Sequence, residues 1–558
     1  MSRTETQRTD LPQKMHLAIT NGLRRKRIRI CSYWAEECRV MGEPIPGKWS
    51  FKYHPWLREV HDSQAEETYI RKAAQMGFTE TVMNRAFYAL DQLKRDVLYV
   101  LPTKNPDASD FSSARFDTAL DLSPHLASLF TSTKNVGHKK AGSANLYVRG
   151  SRARSQLKSI PVGVLIMDEV DEFDPASIPL ATERTSGQFD REIWGLSTPS
   201  IDNFGIDLLF EKTTKEIFTF KCPHCGKITD LSYPECLVLT AEHLQDPRLA
   251  DSYLQCKECK HKLDHEAKPD FLADGKWAPT QLGSPFRGFH ISQLYSSTVK
   301  PGKIAEAVIS ARSDVTMEQE LYNSKLGLPH IVKGARVSRE DIDLCIDRYS
   351  CGDPKMYKNS LITIGIDVGS SLHVEVCKWY GETYADTNDI NNQAKGAVVD
   401  IVELSMGKAG FPDLDPILRK YHPFRVVIDA NPERRSAIEF ANRWPGLVYL
   451  CFYGNNIRGR DISPSEDGCF VTVDRTSWLD LSIGRFRNGT IKLPYNTPET
   501  YKDHIKNLVR IYRENKIGEM VSSYKSTGAD HFGHARNYCE IALGTAKFAG
   551  LSNMNWGR

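Results

Sequence analysis

The chain has 558 residues, too many for one hydrophobic core, so two large domains plus a small insert are expected. Its 73 basic residues against 70 acidic ones give a net charge of +3, which excludes a bulk-basic nucleic-acid coat and leaves only a local patch for any such contact. No run of 18 or more apolar residues occurs and the N-terminal stretch MSRTETQRTDLPQKMH has no apolar core, so a cytosolic protein without membrane span or secretory leader is expected.

In chain order, an arm over residues 1–44 comes first, helical from 14 to 43. Its basic burst, Arg24, Arg25, Lys26, Arg27 and Arg29, suits either phosphate contact or a solvated helix face. From Tyr69 to Ser200 the short apolar runs VLYVLP, VGVLIMD and IWGLSTP alternate with helical stretches, the pattern of an α/β domain around a mainly parallel sheet, placed at 45–330. Residues 215–280, with paired cysteines and many Lys, Asp and Pro, read as a module inserted in that domain. Residues 300–330 look helical, and 331–360 show little periodicity, which marks a linker. A second α/β pattern opens at LITIGIDVG and fills 361–558.

The segment IRKAAQMGFTETV precedes a helical run and holds Lys72, Gln75, Gly77 and Thr79. A phosphate-binding loop needs backbone N–H groups aimed at phosphates, a nearby cation and a hydroxyl for Mg²⁺. Gly77 and Thr79 supply the turn and the hydroxyl. Phe78 stands where the usual lysine would be, so the cation has to come from Lys72 at the other end of the loop. Further on, PVGVLIMDEVDEF is an apolar strand ending in Asp168 and Glu169, where one carboxylate can hold Mg²⁺ and its neighbour can polarise an attacking water. A strand followed by an acidic turn has the same letters. A third strand, REIWGLSTPS, ends in Ser197 and Thr198, whose hydroxyls either sense a γ-phosphate or simply close the strand.

Thirteen cysteines is an odd number, and four of them form two CxxC pairs, Cys222/Cys225 and Cys256/Cys259, separated by 30 residues. Four thiolates on two knuckles satisfy tetrahedral Zn²⁺ and leave no open coordination position, so a structural and non-catalytic zinc is expected. His224, inside the first knuckle, is not expected to be a ligand.

In the second half LITIGIDVGSS delivers Asp367 at a strand end, followed by Gly369, which admits a close approach. FRVVIDANPERR delivers Asp429 in the same way. TGADHFGHARNYCEIAL places Asp530, His531 and His534 at a helix start, with Asp530 and His534 four apart on one face. Carboxylates converging from strand ends and a helix can hold two Mg²⁺ or Mn²⁺ ions, the clamp for in-line phosphodiester hydrolysis. Their order resembles a ribonuclease H-like nuclease fold.

With these pieces in register the chain resembles the large terminase subunit of tailed bacteriophages, in the lambda-type group with a zinc insert. The likeness rests on KAAQMGFT with its displaced Lys72, GSRARSQLKSIPVGVLIMDEVDEF, GLSTPS, the two CxxC knuckles, GIDVG, VVIDAN and DHFGHARNY. It implies an N-terminal P-loop-type ATPase domain with a parallel sheet, a zinc-ribbon insert and a C-terminal ribonuclease H-like nuclease domain. It also implies a motor that cuts concatemeric double-stranded DNA and pumps it into a procapsid in the host cytoplasm, as a homo-oligomeric ring with a portal protein and a small terminase subunit as partners. On that likeness Lys72 binds ATP phosphates, Asp168 the Mg²⁺, Glu169 activates water, and Ser197 and Thr198 couple hydrolysis to movement. Asp367, Asp429 and Asp530 would hold the nuclease metals, with His534 standing where many relatives have another Asp. Arg115, Arg152 and Arg154 are the candidates for an arginine acting on a neighbouring subunit's ATP. KYHPWLREV resembles the adenine-contacting region, with Trp56 or Arg58 against the base or Trp56 simply packed.

Two rivals remain on sequence grounds. A helicase-nuclease of a repair or restriction system shares the ATPase and the acids but would carry a second motor domain, and nothing after residue 200 resembles one. A non-enzymatic zinc-ribbon DNA-binding protein explains the cysteines and leaves the ordered carboxylates unexplained.

Overall fold

The computed structural model describes residues 28–546 apart from 132–133, 153, 159, 359, 382–389, 455–456, 458, 466–467 and 515–519. Most of the N-terminal arm, including Arg24 to Arg27, lies outside the described residues. The chain divides into two compact units, which meet in sequence between His330 and Ile331.

The first unit is a mixed α/β body built on an 11-stranded sheet. Its centre consists of β1 (Glu67–Lys72), β2 (Val97–Leu101), β3 (Ala144–Gly150), β4 (Val164–Asp168), β5 (Glu192–Ser197), β6 (Glu216–Lys221) and β7 (Arg287–Ile291). These seven run parallel in the spatial order β6-β7-β1-β5-β4-β2-β3. The continuous apolar runs of β2 and β4 follow from this placement, since every residue of both strands is buried and both sheet faces are covered. Val97 and Tyr99 enter one core cluster, while Leu98 and Val100 enter another on the opposite face. After β1 the chain turns into α1 (Phe78–Tyr88), whose buried residues lie on the first of these faces.

Between β6 and the antiparallel strand Lys276–Pro279, which returns to pair with it, the chain makes an excursion carrying a separate three-stranded sheet (Leu237–Val238, Tyr253–Gln255, Lys262–Leu263).

The second unit holds a nine-stranded sheet. In chain order its elements include α2 (Arg339–Asp343), β8 (Leu361–Val368), β9 (Ser371–Tyr380), β10 (Lys395–Ser405), β11 (Arg425–Asp429), β12 (Val448–Tyr453), β13 (Phe470–Val473), α3 (Arg475–Arg487), β14 (Ile491–Pro494), α4 (Glu499–Lys506) and α5 (His531–Gly544). β8, β9 and β10 form an antiparallel meander, and β11 and β12 add in parallel on the other side of β8, so the middle of the sheet reads β10-β9-β8-β11-β12. Along β8, Ile362, Ile364, Ile366 and Val368 enter a core on one face. Thr363, Gly365 and Asp367 therefore turn to the other, where α5 packs. Gly365 makes that packing possible: a Cβ there would lie 2.0 Å from the Ala535 carbonyl oxygen and 2.3 Å from the Cys539 nitrogen.

The stretch 331–360, read above as a linker, is instead part of the second unit. Ser338 caps α2 in a capping box with Asp341, Ile346–Asp347 pairs with β14, and Val337, Ile342 and Cys345 are buried in its core. Its apolar residues are spaced for a short helix followed by a two-residue strand, too brief for a period to show. No helix among the described residues is long and apolar enough to cross a membrane.

Candidate functional site

In an open parallel sheet, ligands bind beyond the carboxyl ends of the strands. Three adjacent strands of the first unit, β1, β5 and β4, end there on Lys72, Ser197 and Asp168, with Arg71 opposite Ser197 and Leu196 opposite Asp168 in the ladders. The Lys72 side chain is almost wholly buried, and its Nζ lies 3.6 Å from Glu169 Oε1. The turn after it is fastened from three sides: Ala73 N–H donates to Ile291 O (2.9 Å), Ala74 N–H to Ser324 O (2.9 Å) and Trp56 Nε1–H to Met76 O (3.1 Å). Gln75 and Gly77 are left-handed at φ 58° and 86°. At Gly77 a Cβ would also meet Leu57 Cδ1 at 2.7 Å. No side chain caps the first turn of α1, where Thr79 sits, so its dipole and N–H groups face the strand ends.

Asp168 is 1% exposed. Tyr99 donates its phenol to Asp168 Oδ2 at 2.6 Å, and Oδ1 has no hydrogen-bond partner among the described residues. Burial, reinforced by the neighbouring Glu169 charge, pushes the Asp168 carboxyl up to about 6 against the pull of Lys72 and Tyr99. A buried carboxylate with one free oxygen is the donor that a divalent ion requires, and the ion's charge would offset the desolvation. Glu169 adopts φ 60°, ψ 50°, which turns the chain sharply after the strand. The Ser197 hydroxyl lies 3.3 Å from Glu169 Oε2 and 3.0 Å from Thr198 O, and it accepts the Asp171 N–H at 3.3 Å. Ser197 thus joins the acidic turn to the end of β5.

Trp56 is fully buried, donating to Met76 O and accepting Trp277 Nε1–H on its own carbonyl (2.8 Å). It braces the loop from beneath and offers no face to a base. Arg58 stacks on Phe51 at 4.4 Å and pairs with Glu36. Arg115 pairs with Glu80 of α1 at 3.2 Å, whereas Arg152 is exposed. The Arg154 side chain lies outside the described residues.

In the excursion, Cys222, Cys225, Cys256 and Cys259 gather with their sulfurs within 4.8 Å of one another. The two knuckles have the same backbone. Cys222 N–H bonds Lys227 O and Gly226 N–H bonds Cys222 O; Cys256 N–H bonds His261 O and Lys260 N–H bonds Cys256 O. Gly226 and Lys260 are both left-handed. Burial raises the Cys222 and Cys256 thiols, while the N–H groups of Cys225 and His224 bond to the first and those of Cys259 and Glu258 to the second; the thiols also bond to one another, which lowers Cys256 and raises Cys222 and Cys259. His224 stacks on His261 and points its Nε2 at Lys262 O (3.1 Å), away from ligation.

The second unit assembles a polar row across four strands. Asp367 of β8 stands opposite His373 of β9, and His373 opposite Glu403 of β10. On the other side Ile366 pairs with Ile428, which brings Asp429 alongside Asp367. The start of α5 covers this row. His531 Nδ1 lies 2.9 Å from Asp367 Oδ2 and its ring stacks on His373 at 4.6 Å. The hydrogen bond to Asp367 raises His531 above the ordinary imidazole range, while burial lowers His373. Burial, with the like charge of Asp367 adding, pushes Asp429 up to about 6. The close approach expected at Gly369 is that of the His531 ring: a Cβ there would lie 3.0 Å from His531 Cε1.

The donors of Asp367, Asp429, Asp530 and His534, expected as one ligand set, do not all lie within 4.8 Å of one another, though Asp429 feels the charges of both Asp367 and His534. Asp530 precedes α5 and turns to the Ser526 hydroxyl and to His534 Nε2 (3.3 Å); against the upward push of burial, these contacts hold it well below the usual carboxylate range. His534 is occupied on both nitrogens, with Tyr453 OH 3.1 Å from Nδ1 and Arg475 Nη2 3.3 Å from Nε2. Among the described residues of this unit, the donors converging within 4.8 Å are Asp367, His373 and His531. His373 and Glu403 were missed in the sequence. A buried ion-pair network fixes α5 over the row: Arg536 meets Glu375 (2.6 Å) and Glu540 (3.1 Å), and Arg485 meets Glu540 (2.6 Å).

Residues 43–277 match the family model described as phage terminase large subunit gpA, ATPase domain. No curated protein matches the chain. Among solved structures, the large terminase of bacteriophage HK97 is 10% identical with a TM-score of 0.49, covering 93% of this chain and 99% of that one. The large terminase ATPase domain of Thermus phage P74-26 is 13% identical (TM-score 0.31, 49% of this chain, 92% of that one). The large terminase nuclease of thermophilic phage G20c is also 13% identical (TM-score 0.23, 36% of this chain, 94% of that one).

Proposed function

We propose that this chain is the large subunit of a viral DNA-packaging machine, hydrolysing ATP in its first unit and cleaving double-stranded DNA in its second. The observation that carries the reading is the shelf of Lys72, Asp168, Glu169 and Ser197 at the carboxyl ends of three adjacent parallel strands, inside the segment that matches the gpA ATPase family. In this reading the first unit is a P-loop-type ATPase domain with a zinc-ribbon insert, and the meander with two added parallel strands is a ribonuclease H-like nuclease domain.

Lys72 and the N-terminal turn of α1 bind the phosphates of ATP, with Gln75 and Gly77 shaping the loop and Thr79 offering its hydroxyl. Asp168 supplies the free oxygen for Mg²⁺, which when bound neutralises charge on the β- and γ-phosphates. Glu169, held by Lys72 and Ser197, orients the attacking water and takes its proton. Because Ser197 touches both Glu169 and the end of β5, it and Thr198 are suited to pass a change at the phosphate into the sheet. In the second unit Asp367 and Asp429 hold the phosphodiester-cleaving Mg²⁺ or Mn²⁺, with Asp530 and His534 at its margin. The partners are double-stranded DNA, a portal protein, a small terminase subunit and further copies in a ring, in the host cytoplasm. Arg115, Arg152 and Arg154 are the candidates to reach a neighbour's nucleotide.

The test is DNA-stimulated ATP hydrolysis and plasmid cleavage by the purified chain, with and without Mn²⁺ and EDTA. Absence of both activities in a folded, zinc-loaded protein would overturn the reading.

The four cysteines are proposed to hold one structural Zn²⁺, since thiolate sites contribute folding free energy outright. Elemental analysis is expected to give about one zinc per chain for four thiolate ligands. Cys222→Ser and Cys259→Ser should lower soluble yield and melting temperature before altering any rate. A metal-free wild type with an undiminished melting temperature would refute this.

A further inference from the structure

The acids of the second unit are hard oxygen donors, yet beside Asp367 stand two imidazoles that no part of the two-carboxylate scheme uses. We propose that Asp367, His373 and His531 form a binding position for one divalent first-row transition ion, sharing the Asp367 carboxylate with the acidic site and discriminating against Mg²⁺. The inference deepens the nuclease reading and rests on it for what the ion does, but not for whether the ion binds.

Three observations carry it. The donor atoms of the three residues already lie within 4.8 Å of one another. Ligands about 2.1 Å from one ion stand about 3 Å apart when adjacent and about 4 Å when opposed, so the donor atoms are close enough, and one of the two rings, now stacked at 15°, has to turn out of the stack for both nitrogens to face one ion. His373 is 4% exposed, and its Nδ1 has no hydrogen-bond partner among the described residues. A buried ring nitrogen normally has a hydrogen-bond partner, a water or an ion. Its other nitrogen, Nε2, faces Glu403 Oε1 at 3.7 Å. A carboxylate on that side of the ring favours the proton on Nε2 and leaves Nδ1 as the nitrogen free for an ion, although at 3.7 Å the two are an ion-pair distance apart and not hydrogen-bonded.

The backbone on either side of the position is held firmly. His373 is set by the β8–β9 ladder opposite Asp367. His531 is set at the start of α5 by the packing of Gly365 and Gly369 and by the Arg536–Glu375 pair, two residues along β9 from His373. His504 closes the side of the cluster, its ring 5.5 Å from His373 and 5.7 Å from His531. Imidazole nitrogen favours transition ions over Mg²⁺, which prefers oxygen and keeps its waters.

Mn²⁺ added to the full, zinc-loaded chain without nucleotide is the probe, read by pulsed electron paramagnetic resonance. Nitrogen-14 modulation from directly bound imidazole is expected in the wild type. It should survive a hundredfold excess of Mg²⁺ and vanish in the double variant His373→Ala/His531→Ala, with melting temperatures recorded as the control on folding. Bound Mn²⁺ without nitrogen modulation, no bound Mn²⁺, or modulation that persists in the double variant each overturns the proposal, and the first two need no variant. Asp429→Ala separates the two readings: it should abolish cleavage if the nuclease reading holds, while the nitrogen signal remains. A wild type with the signal but no cleavage would retain the metal position and discard the nuclease.

Discussion

Lys72→Ala and Glu169→Gln are each expected to lower DNA-stimulated ATP hydrolysis by at least about 100-fold, the usual cost of removing a group aimed at charge that develops in the transition state. Zinc content and plasmid cleavage should stay near wild type, because Asp367 and Asp429 belong to the other compact unit. The two variants should fail differently. Lys72 is buried beside Glu169, and its positive charge helps keep Asp168 ionised. Removing it leaves two adjacent carboxylates without a cation, so nucleotide binding and turnover should both fall. Glu169→Gln keeps the shape and removes the base; a nucleotide analogue should then bind as in the wild type while kcat collapses. Full ATP hydrolysis by Lys72→Ala would show that the lysine at the start of the loop is not the phosphate cation.

The sequence made the carboxyl edge of the first sheet unusually legible. VLYVL, VLIMD and EIWGLS stand out because a parallel strand covered on both faces is largely apolar, and the polar residues that end the second and third, Asp168 and Ser197, fall at the carboxyl edge where ligands bind. The spatial neighbours of those ends were not legible. Nothing local says that β5 lies between β1 and β4, and this is what brings Ser197 to Glu169. In the second unit the single acids at strand ends were visible, but the histidine row was not. His373 and Glu375 alternate with Leu372, Val374 and Val376, a period-2 polar face that could have been read within SLHVEVCKW. Their meaning depended on α5, which lies far along the chain and covers them only because Gly365 lets its backbone approach. The surroundings of Asp530 were not legible for a related reason. At a helix start a carboxylate has local competitors, here Ser526 and His534, and sequence spacing cannot weigh these against a distant metal.

Asp367→Ala is expected to remove metal-dependent DNA cleavage, by about 100-fold or more on the same scale of lost transition-state stabilisation, without lowering ATP hydrolysis. Asp367 is the one residue shared by every metal arrangement the second unit offers: it stands beside Asp429 on the sheet and accepts from His531 of α5. Its loss should be felt by both neighbours. His531 loses the hydrogen bond that raises it, so its imidazole should titrate lower than in the wild type. Asp429 loses a like charge, so its carboxyl, now about 6 chiefly through burial, should also titrate lower. Asp429 would then be more fully ionised at pH 6 than in the wild type, yet cleavage should still be absent. That combination separates the loss of a ligand from a change in ionisation, and it can be read by carboxyl-labelled NMR titration alongside the plasmid assay. Asp530→Ala is the contrasting variant. With its carboxylate already committed to Ser526 and His534, it should weaken cleavage less than Asp367→Ala and be partly rescued by excess Mn²⁺. Equal and unrescued losses in the two variants would mean that Asp530 leaves those partners to hold the ion directly. Full cleavage by Asp367→Ala would remove the nuclease and leave an ATPase joined to a non-catalytic sheet.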